Sequence, residues 1–192
     1  MNTLSADIQA FLQKESTKTF LKVAEQFIAL VEADNISKEE FYRQAHTALI
    51  DLYAAGHKLE LVELKYSSAD SDFGKTDDEF FKNKNQALIS TLGEDAFYWE
   101  VFDPTYFEKD GTPGQGWQIT DKEATQGWLV DDFADIYRDL KIEVEKMKIG
   151  TDEAIEDALW QMKWSARNHW GRHCISAIRA VHFLWYDGKL AI

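Results

Sequence analysis

Apolar residues recur at steps of three and four along several long stretches of the chain, which is the spacing of one helix face. Phe20, Ala24, Phe27, Ile28 and Val31 form one such stripe, with Ser16 or Thr17 placed to cap its start and the pattern running to about residue 33. A second stripe, Phe41, Ala45, Ala48, Leu49, Leu52 and Tyr53, follows Ser37 and Glu40, whose spacing is that of a capping box; Gly56 is positioned to end it. Residues 34–36 connect the two so briefly that the helices should fold back as an antiparallel hairpin. Residues 4–12 read as a short opening helix with Ser5 at its cap, and residues 58–75 read as a connector without a clean period. Thr76 and Glu79 repeat the capping signature before Phe80, Phe81, Ala87, Leu88 and Leu92, and Gly93 is a natural stop. Residues 95–104, dense in aromatics, read as a short helix or an extended plug over the core. Both prolines, Pro104 and Pro113, fall with Gly111, Gly114 and Gly116 in one irregular segment, residues 103–119, after which Thr120 and Glu123 would start a helix leading to Gly127.

Two patterns remain, and they carry the polar chemistry. Leu129, Phe133, Ile136, Tyr137, Leu140, Val144 and Met147 make a helix stripe, and the same helix holds the letters DDFADIYRDLK over residues 131–141. On its projection Asp131 and Asp135 lie opposite the stripe, whereas Asp132 and Asp139 lie at its border, where they can reach into a cleft. Asp131, Asp135 and Asp139 repeat every four residues, so each pair costs a few tenths of a kcal/mol, roughly, unless a cation compensates. Arg138 offsets part of this, and its planar fork also suits a carboxylate or phosphate. Thr151 caps the last segment, helical in pattern to about residue 186. The apolar faces of its two halves do not coincide, which predicts a bend or break over residues 168–171, where Gly171 also permits close approach.

Beside that break stand the letters HWGRH, residues 169–173. His169 and His173, four residues apart, have workable spacing for a shared metal, but Trp170 occupies the place where a zincin protease has its glutamate. A histidine hydrogen-bonded to an aspartate is the simpler role. If Asp132, Asp135 or Asp139 meets either histidine across a helix pair, a mixed oxygen and nitrogen site results. The Glu-x-x-His pairs of a di-iron bundle are missing, as are phosphate loops, a nucleophile elbow and paired-cysteine zinc motifs. Cys174 lies on the apolar face and reads as an inert buried thiol.

Composition narrows the classes. The chain of 192 residues carries 34 Asp plus Glu against 21 Lys plus Arg, a formal charge of -13, which disfavours nucleic acid and anionic membranes and would steer in a basic protein. Aromatic residues reach 14%, enough for an aromatic-rich core. One cysteine, no signal-peptide pattern and no apolar run of bilayer length make the cytoplasm the expected setting.

The acidic helix, the tryptophan-rich segment after it and the HWG-x-H letters resemble domain-of-unknown-function family 5063, bacterial proteins that carry a DD-x-x-DIYRDLK-like helix. The resemblance extends to the hairpin over residues 20–53 and implies a shared helical fold, without an activity. The expectation is therefore an all-α, single-domain antiparallel bundle over residues 1–192, of about six helices. Its leading function is a non-catalytic binding or interaction module for a small molecule or basic protein, without a cofactor. Its candidate polar site is Asp132, Asp135, Arg138, Asp139, His169, Trp170 and His173. The alternative is a metal-dependent hydrolase of a small anionic substrate, with a divalent ion held by the Asp and His residues and the substrate by Arg138.

Overall fold

A computed structural model of the chain describes residues 3–68, 71, 73, 78–101, 124–186 and 188. The described residues form seven packed helices and one small two-stranded sheet: α1 (Ala6–Gln13), α2 (Glu15–Glu32), α3 (Lys38–Lys58), α4 (Asp78–Leu92), a 3-10 turn (Gly93–Ala96), β1 (Phe97–Glu100), β2 (Thr125–Trp128), α5 (Leu129–Met147), α6 (Asp152–Asn168) and α7 (Trp170–Tyr186). The all-α expectation therefore holds, with seven helices rather than six. Thr76, Thr120, Glu123 and the Gly and Pro segment 103–119 lie outside the described residues.

Helix starts follow local chemistry only in part. Ser37 Oγ accepts from the Glu40 backbone N–H at 3.2 Å and Thr151 Oγ1 from that of Ala154 at 3.3 Å, as the sequence predicts. The Glu40 side chain, however, turns away to Arg43 and Gln44. Ser5 makes no side-chain cap, and α2 begins at Glu15, directly after α1, so neither Ser16 nor Thr17 caps it. Gly93, at φ 65°, ends α4 as expected. The described part of the aromatic segment, residues 95–101, runs from the 3-10 turn into β1, with Ala96 and Tyr98 on the core and the Phe97 and Trp99 side chains exposed. Residues 125–128, expected to continue a helix, instead pair antiparallel with β1, Tyr98 opposite Gly127. Gly127 is needed there, because a Cβ would collide with the Tyr98 ring.

The main core is aromatic, as composition suggests: Phe20, Phe27, Phe41, Tyr42, Phe133, Tyr137 and Trp170 are all buried in it. Helix α5 packs against α2, α4, α6 and α7, so it is enclosed on several sides. Tyr137 and Lys141 both reach Glu32 on α2, at 2.6 and 2.8 Å. A second cluster, Ile8, Phe11, Val62, Ile155 and Leu159, joins α1 to α6. Beside it Glu156 Oε1 accepts the backbone N–H groups of Lys65, Tyr66 and Ser67 at 2.8–2.9 Å, which pins the irregular connector to α6.

The long C-terminal pattern divides at His169, the one residue between α6 and α7, with φ -141° and ψ -87°. Its N–H still bonds the Ser165 carbonyl at 2.8 Å, and its own carbonyl accepts from Arg172 N at 3.0 Å, so each helix end is satisfied across the break. Two glycines make room for this geometry. The Gly171 Cα lies against the Ala166 carbonyl, and a Cβ there would collide with it. Gly56 does not end α3 as expected; it lies within the helix because the Trp170 indole occupies the space its Cβ would need. Trp170 stacks on Phe20 with ring centroids 6.0 Å apart and donates Nε1–H to the Met162 carbonyl at 3.3 Å.

Because the group facing Gly171 is backbone and cannot rotate away, Gly171→Ala should cost about 1–3 kcal/mol. Urea denaturation should show the midpoint falling with the slope unchanged.

Candidate functional site

The break turns His169 and His173 toward α5, where three aspartates meet them. His173 Nδ1 lies 2.8 Å from Asp132 Oδ1, and His169 Nδ1 lies 2.8 Å from Asp139 Oδ2. The remaining ring nitrogens converge on a single atom, Asp135 Oδ2, at 3.4 Å from His173 Nε2 and 3.8 Å from His169 Nε2. The rings stand edge to face with centroids 5.0 Å apart. Asp135, His169 and His173 each offer one ligand atom, all within 4.8 Å of one another.

Partners from other elements complete the cluster. The Tyr98 hydroxyl, carried by β1, donates to Asp132 Oδ2 at 2.7 Å, and the Ser165 hydroxyl of α6 donates to Asp139 Oδ2. Asp132 and His173 are buried, while Asp135, Asp139 and His169 are half-buried. Burial pushes the Asp132 carboxyl above its usual range, and the hydrogen bonds from His173 and Tyr98 offset only part of that. Burial and the neighbouring charge of Asp131 likewise raise Asp135, against the pull of the two histidines. For His173 burial acts downward, but the hydrogen bond to Asp132 and the charges of Asp132 and Asp135 outweigh it, so its pKa is raised. All three shifts are upward, with burial the chief cause for the two aspartates and the neighbouring carboxylates the cause for His173.

The projection sets Asp135 opposite the apolar stripe, and from there it is the candidate acid that both histidines share. Asp131 is exposed, and Asp132 and Asp139 do reach inward from the border of the stripe. Arg138 lies on the α4 side of α5, its guanidinium 5.5 Å from the centre of the Phe81 ring. Trp170 belongs to the core rather than the polar cluster. Cys174 is buried, and burial raises its thiol pKa, which keeps it unreactive.

Sequence reasoning missed Tyr98, Ser165 and Glu143. Glu143 follows Asp139 by one helical turn and lines a cavity of about 170 Å³ with Asp139, Ser165 and His169. Lys146 pairs with it at 2.7 Å and also with Asp157 on α6. Burial nevertheless holds the Glu143 carboxyl up at about 7. The four-residue step from Asp139 was the available signal for Glu143. Nothing local marks Tyr98.

Removing His173 leaves Asp132 buried with only Tyr98 against it, so His173→Ala in metal-free protein should cost about 3–5 kcal/mol at pH 7, read by chemical denaturation. A group whose folded pKa is raised stabilises the fold below its unfolded value and loses that contribution as the pH climbs through the folded value. Stability of the metal-free protein should therefore fall as pH rises upward from about 6.5, and the fall should be shallower in the Asp132→Asn/His173→Gln double variant.

Among solved structures, the crystal structure of protein BF1032 from Bacteroides fragilis is similar to this chain, with a TM-score of 0.71 and 21% identity over 90% of this chain and 93% of that one. At that identity the likeness speaks for the fold alone. A comparison with curated proteins finds no match. The family described as Domain of unknown function (DUF5063) matches residues 12–187, nearly the whole chain and every residue of the histidine and aspartate cluster, so the chain belongs to that family.

Proposed function

We propose that this protein is a metal-binding module whose divalent ion is held by Asp135, His169 and His173 between α5 and the α6–α7 break. One observation carries the reading: each imidazole has Nδ1 engaged by its own carboxylate, while both Nε2 atoms face one oxygen of Asp135. A carboxylate on the far nitrogen fixes the tautomer and raises the basicity of the ligating nitrogen, the usual second layer around a histidine-bound metal. Distances agree as well. Tetrahedral zinc with ligands at about 2.0–2.1 Å separates its ligand atoms by about 3.3 Å, which the 3.4 and 3.8 Å nitrogen-to-oxygen separations approach, and all three ligand atoms lie within 4.8 Å of one another.

Two imidazole nitrogens and one carboxylate oxygen suit zinc and its transition-metal neighbours better than calcium or magnesium, which prefer all-oxygen shells. Three protein ligands leave a fourth position for water or a bound molecule. Binding without catalysis is the first reading. One feature favours hydrolysis as the second: Glu143, with its carboxyl near 7, lines the small cavity beside His169, and that value suits proton transfer at neutral pH. A cytoplasmic setting belongs to the same proposal, supported by a lone buried cysteine and by the absence, among the described residues, of any helix long and apolar enough to cross a membrane.

Protein stripped with a chelator and supplied with zinc should bind one ion per chain by metal analysis and calorimetry. Free zinc at a hundred times the dissociation constant should add about 2.7 kcal/mol, a rise in Tm of roughly 5–10 °C for a chain of this size. Asp135→Asn should remove most of the affinity, and Asp132→Asn or Asp139→Asn about 10–100-fold of it. Because the ligands must be deprotonated, affinity should fall with decreasing pH, starting above the ordinary histidine range on account of His173. No bound zinc, manganese or cobalt, and no change in Tm with any of them, would refute the proposal. If Asp135→Asn binds as well as the parent chain, the ion is elsewhere.

A further inference from the structure

On another face of the α6–α7 break lies a second cleft whose charge has the opposite sign. It has a volume of about 720 Å³, within the range of roughly 300–1,000 Å³ usual for small-molecule sites. Lys163 and Arg167 of α6 and Arg172 and Arg179 of α7 line it, with Glu100 as the one carboxylate among its described lining residues. Four cations gathered against one acid is unexpected in a chain of net charge -13. The acid is also engaged elsewhere, since Glu100 Oε2 accepts from the Ser176 hydroxyl at 2.8 Å.

Lys163 is held in place without being neutralised. Lys163 Nζ donates to the Gly56 and His57 carbonyls at 2.9 and 3.0 Å, capping the C-terminus of α3 with its charge intact. Burial and the nearby charge of Arg167 both lower its pKa, so the two cations are close enough to repel. Among the described residues neither Arg167 nor Arg179 makes an ion pair; Arg179 lies over the Phe183 ring instead, at 6.0 Å. The other described lining residues include Tyr53, Val101, Trp170 and the exposed Ile175, with Ser176 and His57 as polar members.

We infer that this cleft binds a small organic phosphate of about nucleotide size, with its phosphoryl group between Arg167, Arg172 and Arg179 and its remainder against Tyr53 and Ile175. Guanidinium forks match phosphate oxygens in bidentate geometry, and several around one group supply both charge and orientation. The volume argues for an organic phosphate, because inorganic phosphate alone would leave most of it unfilled. The cleft has a lining of its own, as none of Asp135, His169 or His173 belongs to it, while the charge of Arg172 reaches His173.

Calorimetry on chelator-treated protein keeps the two apart, because phosphates also bind metals. The probes would be adenosine monophosphate, glucose 6-phosphate and pyridoxal 5′-phosphate, with adenosine and glucose as phosphate-free controls. At least one phosphate should bind with a dissociation constant below 1 mM, its control should not, and raised salt should weaken it. Arg167→Gln/Arg179→Gln, two exposed positions that should not disturb folding, should weaken binding at least tenfold. Lys18→Gln/Lys22→Gln on α2 should leave it unchanged. No phosphate binding below 1 mM, equal binding of the phosphate-free control, or equal loss in the α2 variant would each overturn the inference.

Discussion

The buried Asp132 carboxylate is the constraint to which the rest of the site answers. A carboxylate withdrawn from water costs several kcal/mol unless hydrogen bonds and opposite charge replace its hydration. Here the replacements come from two distant parts of the chain, the Tyr98 hydroxyl from β1 and the His173 ring from α7. Satisfying one acid on α5 thus fixes where the small sheet lies and how α7 is rotated. Once α7 is so placed, the far nitrogen of His173 faces Asp135, and the second histidine is drawn into the same arrangement. Three carboxylates then surround two imidazoles. Two protons on the rings, or the proposed divalent ion with neutral rings, would each leave the same net charge of -1.

His169 can take part only because it is not inside a helix. Within a continuous helix of residues 152–186 the two apolar half-faces would point in different directions, and one would have to face water. Breaking the backbone at His169 reconciles them, and the fit of Gly171 on Ala166 and of Gly56 on Trp170 fixes the angle. Trp170 acts as the wedge: its indole fills the core between Phe20 and α3 while the residues on either side of it along the site-facing edge remain polar. Core packing and site geometry are therefore one structural problem, and a change at Gly56 would be felt at the histidines.

Much of this was legible in the sequence, and the limits have physical causes. Periodicity located the helices because a buried face must repeat every three to four residues. The mismatch of half-faces located the break, and the border positions of Asp132 and Asp139 pointed inward correctly. A projection alone could not rank Asp135 above the other acids, because it assumes one buried side, whereas α5 packs against α2, α4, α6 and α7. A helix enclosed on two flanks can bury part of its polar face too. Tyr98 was not readable at all: β1 has four residues, too few for a period, and its place depends on pairing with β2, more than twenty residues later. Gly56 looked like a terminator because local rules cannot see an indole arriving from residue 170.

Tyr98 also joins the two polar regions. Its hydroxyl holds Asp132, while its ring helps line the cationic cleft. Helix α7 carries both sets of residues, with His173 turned to the acids of α5 and Arg172 and Arg179 turned to the cleft, so neighbouring positions on one helix carry opposite electrostatic demands. Asp132 takes a histidine rather than an arginine, and a histidine can release its proton where an arginine cannot. The partner of the buried acid is thus one whose charge can change near neutral pH.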